Sequence, residues 1–243
     1  MRTYKLHLES GPQRRTTMVH VLDLLGCVAV GKTTDLALEA TPAAISAYRH
    51  FLRAHGETID DREPFTTEVT EHITEGQWLG NGSPYIVFPP DLEPITGPEI
   101  RLFLGRFEAI YDELSDWAGR QPDKLLDAHP ASGGRTARAV LLHAVGTPGA
   151  YLSAALGGAP GFSRIAGAAE RGETPLVDAF HSMSSLAVEQ LRSTSREQRS
   201  AMRVLGGGAR TYTLRKAVRR MLEHGWEHLA ELARRPGGPD LAS

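Results

Sequence analysis

The sequence predicts an α+β protein: a small N-terminal module of sheet and helix, followed by an all-α four-helix bundle. Three observations carry this reading. Apolar and polar residues alternate through parts of the first thirty positions, and apolar residues recur at helical spacing almost everywhere past Pro98. Between these regions, turn-forming residues crowd together. The 243 residues, 41 % hydrophobic and 23 % charged, are ordinary globular usage and exclude a disordered or collagen-like chain. The expected boundaries are 1–79 for the module, 80–97 for a Pro/Gly-rich linker, 98–235 for the bundle and 236–243 for a flexible tail.

The elements follow in order. Tyr4 to Glu9 and Met18 to Leu22 alternate as half-buried strands do, and Gly26 to Gly31 encloses a short apolar run that reads as a third. From Thr34 the period changes: Leu38, Ile45, Tyr48 and Leu52 mark a helix, with Asp35 in its first turn and Gly56 at its stop. Pro42 predicts a kink or break in that helix. Glu68 to Ile73 reads as a returning strand, and Tyr85 to Phe88 as a short one within the breaker-rich stretch. Pro98 opens the first bundle helix, whose wide stripe includes Phe103, Phe107, Ile110, Leu114 and Trp117. A second helix spans about Thr136 to Leu156 and stops at Gly157-Gly158, and Thr174-Pro175 opens a third. Gly206 to Gly208 precede a fourth, capped by Thr213. Four amphipathic helices in this length predict a four-helix bundle, with room for a crossover between the second and third.

Several functions are excluded or disfavoured. Residues 1–95 hold 8 Lys+Arg against 13 Asp+Glu, leaving 19 and 16 for the remainder, so the first third is no nucleic-acid surface. The basic run Arg215, Lys216, Arg219 and Arg220 reads as a solvated helix face. No window approaches the roughly 18 consecutive apolar residues of a membrane helix. The N-terminus has no apolar core of a signal peptide, and the expected compartment is the cytoplasm. The single cysteine, Cys27, excludes an internal disulfide framework and reads as a buried structural residue. Gly26 to Thr33 satisfies the literal P-loop pattern, but the apolar residues between the glycines suit a strand-to-helix turn better.

Chemistry concentrates in the histidines. Of ten, only His224 and His228 share a helix face at ligand spacing, one turn apart and beside the apolar stripe. Two imidazoles there can share a metal ion, and a third from a facing helix completes a site with one position open. His143, on the second helix, is the candidate third. On the residues alone, partly exposed helix histidines are the commoner explanation of such a pair. Glu223 and Glu227 neighbour these positions but are turned about 100° away, so neither is assigned as a general base.

The segment from Tyr212 to Leu232 resembles the last helix of the DinB family of four-helix-bundle proteins, which carries an HxxxH pair. In that family another histidine comes from the second helix, within a stretch like Ala139 to Val145. The resemblance covers roughly residues 97 to 235 and implies a metal triad of His143, His224 and His228. It further implies metal-dependent hydrolysis or transfer of a low-molecular-weight thiol; imidazole ligands suit a divalent ion such as zinc or nickel. The chain departs from the pattern at Thr147-Pro148, which predicts a kink within a turn of His143. It also offers no obvious cysteine nucleophile in the bundle.

The stretch from Leu22 to Ala40 resembles the HicB antitoxin family, which implies a truncated ribonuclease-H-like sheet without catalytic carboxylates for residues 1 to about 75. The chain lacks that family's short DNA-binding tail and has a helical bundle instead. The alternative function is therefore an antitoxin-type or scaffold interaction protein without turnover, its N-terminal domain binding a protein partner. The expected partners otherwise are a small thiol or other small-molecule substrate and a second copy of the chain. The homodimer follows from the stripe of Phe103, Phe107 and Trp117, which looks wider than one bundle buries.

Overall fold

A computed structural model describes residues 1–11, 15–131 and 133–241. The first part is β1 (Arg2–Gly11), β2 (Thr16–Val21), β3 (Val28–Gly31), α1 (Thr34–Ala54) and β4 (Phe65–Ile73), in the sheet order β3-β2-β1-β4. β4 runs parallel to β1, and the other pairings are antiparallel. The period of two sorts the side chains. Leu6 and Leu8 pair with Val21 and Val19 on the face that α1 covers, whereas His7 and His20 pair on the other. Thr33 ends the P-loop-like stretch by capping α1, its hydroxyl accepting the Leu36 N–H. Cys27 is buried, and burial pushes its thiol pKa up.

Pro42 neither kinks α1 into two pieces nor ends it. Ala37, Thr41, Ile45 and Tyr48 are buried against the sheet while Pro42 is on the exposed side, where water reaches the carbonyl that its missing N–H releases.

Residues 74–96 contain no strand and only a 3₁₀ turn, Pro89–Leu92, so Tyr85 to Phe88 is irregular. The segment is nevertheless packed. Leu79, Ile86 and Phe88 form a small apolar cluster with Leu22 and Ile73 over the second face of the sheet. The Phe88 ring lies 5.2 Å from His7 and 5.1 Å from His20.

The helical part comprises α2 (Gly97–Arg120), α3 (Asp123–Leu126), α4 (Ala137–Leu156), α5 (Phe162–Glu170), α6 (Leu176–Arg192), α7 (Arg196–Ser200), β5 (Met202–Leu205), β6 (Arg210–Thr213) and α8 (Leu214–Ala233). The four long helices form the bundle. α2 and α4 each pack on both α6 and α8, so consecutive long helices α2 and α4 lie across the diagonal. The crossing connections are thus α2 to α4 and α6 to α8, not the α4 to α6 segment that the length of chain there favoured. The glycine tract is the turn of the β5–β6 hairpin, whose four-residue strands are too short to show a period.

Caps fix the helix starts. Thr96 and Glu99 form a capping box on α2, Thr136 accepts the Ala139 N–H, and Thr213 accepts the Lys216 N–H. α4 is long and apolar enough to cross a membrane by length and composition alone. Here that apolarity serves the bundle, with Val140, Leu141, Ala144, Val145 and Leu152 buried.

One hydrophobic core runs through both parts. The Trp226 ring of α8 lies 4.8 Å from Tyr48 and 5.1 Å from Phe51 of α1, and Arg106 of α2 pairs with Glu57 at 2.6 Å. Phe103, Phe107 and Trp117 are buried within the single chain. Past α8 the chain folds back: the Trp117 indole donates to Gly237 O, Pro239 is buried, and Leu241 packs on the core.

The basic run is the largest departure from the sequence reading. Lys216, Arg219 and Arg220 are buried: Lys216 and Arg219 against the irregular segment that covers the sheet, and Arg220 over the Tyr151 ring of α4. The Lys216 ammonium donates to Pro84 O and Thr211 O, both at 2.8 Å. Burial, reinforced by Arg219, lowers its pKa to about 7. The unfolded chain therefore binds the extra proton between about pH 7 and 10, and stability rises with pH across that window. The expected slope from this group is at most about 1.4 kcal/mol per pH unit. Urea unfolding at several pH values should show it in the wild type and not in Lys216→Met.

Candidate metal centre

The antiparallel pairing of α4 and α8 sets two rows of side chains face to face. Each row has a spacing of four: His143, Thr147 and Tyr151 on α4, and Arg220, His224 and His228 on α8. Gly225 allows α2 to approach α8 from behind, since a Cβ there would lie 2.8 Å from the Tyr111 ring.

The three candidate ligands come together. His143 Nε2 is 3.0 Å from His224 Nε2, which is 3.2 Å from His228 Nε2, and one nitrogen from each residue falls within 4.8 Å of the others. Tetrahedral zinc at 2.0–2.1 Å from each nitrogen separates its ligand atoms by about 3.3 Å, so the donors stand close to coordination geometry.

The opposite ring nitrogens are held from outside. Glu231 faces His228 Nδ1 at 3.1 Å, and Thr147 Oγ1 faces His224 Nδ1 at 3.2 Å. The Thr147 hydroxyl proton is already donated to Ala144 O, so its oxygen accepts from His224. That carbonyl is free because Pro148, four residues on, has no N–H. The Thr-Pro pair, which predicted a disruptive kink, thus supplies the partner that fixes the His224 tautomer, and α4 continues unbroken through it.

Both outer partners therefore place a ring proton on Nδ1 of His224 and of His228, and leave those two Nε2 lone pairs facing one point beside His143 Nε2. Lone pairs this close repel unless a cation lies among them.

The electrostatics favour neutral His143 and His224. Burial, then the neighbouring His228, lowers the pKa of His143, and the same two causes hold His224 well below the ordinary histidine range. Hydrogen bonding to His228 and then Arg235 lowers Glu231 to about 2, against a smaller rise from burial. Arg135 at 3.4 Å and Arg235 at 2.6 Å clamp the same carboxylate. His224 and His228 are buried, whereas His143 is exposed, so the centre opens to solvent along α4.

Sequence reasoning missed Thr147, Glu231 and Arg135. The first two had a signal, being four residues from His143 and three from His228 on the same faces. Arg135 had none. Glu223 and Glu227 point away from the triad, as their spacing required: Glu223 bonds to His20 at 2.9 Å, and Glu227 lines a separate groove.

Thr147→Val keeps shape and removes the acceptor. Its metal affinity is expected to fall about 10- to 100-fold. Competition titration with a zinc chelator checks this, and an affinity within twofold of wild type contradicts the role given to Thr147.

No family model matches this chain, and no curated protein matches it. A solved structure similar to it is YfiT from Bacillus subtilis, described as a probable metal-dependent hydrolase with an unusual four-helix bundle topology. The two are 18 % identical, with the match covering 58 % of this chain and 90 % of that one at a TM-score of 0.44.

Proposed function

We propose that the protein is a divalent-metal-dependent enzyme of the DinB-like type, acting by hydrolysis or by transfer of a low-molecular-weight thiol. The observation that carries this reading is the convergence of three imidazole nitrogens, two of them on rings whose outer nitrogens are already engaged. Neutral imidazole suits zinc and nickel alike. A divalent ion held by His143, His224 and His228 supplies Lewis acidity toward an incoming water or thiol.

The remaining work falls to the chain. Thr147 and Glu231 hold two rings in the ligating tautomer, and Arg135 and Arg235 keep Glu231 ionised and in place. The buried α8 side excludes water from two ligands, while the exposed His143 side admits substrate. Three protein ligands leave a position at which substrate or nucleophile binds.

The N-terminal module is proposed as HicB-like, on the strength of three antiparallel strands, a helix and a fourth strand parallel to the first. An antitoxin-type interaction protein without turnover is the competing reading. The test is activity of zinc- or nickel-loaded protein against ester, amide and thiol-acceptor substrates, with and without chelator. Chelator-sensitive turnover supports the enzyme; metal uptake with no turnover across the panel favours a structural metal in an interaction protein.

A further inference from the structure

A groove of about 980 Å³ lies between α1 and the C-terminal half of α8, bordered by Glu231, whose carboxylate reaches His228 of the triad. This is the size of small-molecule sites. Ala40, Ala44 and Ala47 recur at helical spacing along the α1 wall, and their small side chains leave the space open. Trp226 contributes an aromatic surface, and Leu241, on the segment that folds back after α8, adds to the apolar lining.

Glu227 stands in this apolar lining. It is half-buried, and it has no hydrogen bond or ion pair with any of the described residues. That sets it apart from the buried carboxylates nearby. Glu9 accepts from the Gly82 and Ser83 amides, Asp91 pairs with Arg219, and Glu223 pairs with Arg219 and Arg220. The other charged groups of the groove are committed or solvated: Glu231 to His228 and Arg235, His50 to Asp61, with Arg234 and Asp240 exposed.

An unpaired carboxylate partly removed from water is costly. A ligand that brings a positive charge to Glu227 and an apolar body to the alanine wall relieves that cost and buries apolar surface at once. We propose that this groove is a binding site for a small primary amine with an apolar body. The proposal is independent of the metal reading, because no groove group it uses is a ligand of the triad.

The test uses the full chain and hexylammonium, with hexanol and hexanoate as neutral and anionic controls of the same length. Binding is followed by calorimetry and by the Trp226 indole N–H signal, with and without chelator. Hexylammonium is expected to bind at least about tenfold more tightly than either control, as a charge-assisted contact requires. Glu227→Gln should erase that preference. Ala44→Phe, which fills the groove without touching the carboxylate, should abolish binding, so a poorly folded Glu227 variant does not remove the test. Equal affinity for hexylammonium and hexanol, or an unchanged preference in Glu227→Gln, overturns the proposal. Amine binding that survives chelator while metal-dependent turnover is absent separates this inference from the function proposed above.

Discussion

Replacing His224 with alanine is expected to abolish stoichiometric uptake of zinc or nickel and to remove the metal-dependent rise in melting temperature. His224 is the middle donor, bonded to neither side by covalent geometry yet 3.0 Å from His143 and 3.2 Å from His228. Its loss leaves two nitrogens on different helices, without the atom that bridges them. A divalent ion binding only the folded state at a thousandfold excess over its Kd stabilises by about 4 kcal/mol. For a domain of this size that is roughly 8–16 °C in melting temperature. The shift should appear in wild type, shrink in Thr147→Val and vanish in His224→Ala, while the three metal-free proteins melt within a few degrees of one another. Elemental analysis after gel filtration, paired with calorimetry, reads both quantities. A wild type that takes up neither metal, and whose melting point does not move, removes the centre and with it the enzyme.

The elements of this fold were legible wherever period and punctuation agreed. Thr213 before Leu214 and the stripe of Met221, Leu222, Leu229 and Leu232 located α8, and the spacing of His224 and His228 put the pair on one face. His143 was legible because it lies within an apolar helix, where a polar ring needs a reason. Two things were hidden. The crowd of prolines and glycines after Gly80 marked an absence of regular structure, but nothing local revealed that Ile86 and Phe88 cover a sheet face formed some seventy residues earlier. The burial of Lys216, Arg219 and Arg220 was hidden for the same physical reason. A charged helix face is solvated by default, and its partners here, His20 and Asp91, lie 199 and 128 positions away. Local pattern reports what a segment needs to bury; it does not report which distant segment satisfies its charges.

Those distant partners make Glu223 the residue whose loss should cost the fold most. Its carboxylate is 1 % exposed and bonds to His20 at 2.9 Å, Arg219 at 2.8 Å and Arg220 at 2.7 Å. Arg219 extends the network by a two-point contact with Asp91 at 2.7 and 2.8 Å. The sheet, the irregular segment and α8 therefore meet at one buried set of charges. Burial alone pushes the Glu223 pKa up, but Arg219, His20 and Arg220 outweigh it and hold the carboxyl well below the usual range. A paired buried charge of this kind contributes little net stability against an apolar replacement of the whole set. Removing one member is different, because Arg220 remains buried without its anion and Arg219 keeps only Asp91. Glu223→Ala is expected to lose about 3–5 kcal/mol in urea unfolding. Replacing Glu223 together with Arg219, Arg220 and Asp91 by apolar residues should lose markedly less than the single change, since no orphaned charge of this set remains. Because Glu223 directly precedes His224, the single variant should also weaken metal uptake by loosening the rotation of α8 about its axis. A Glu223→Ala protein within 1 kcal/mol of wild type would mean that water reaches this network, and that it does little to join the two parts of the chain.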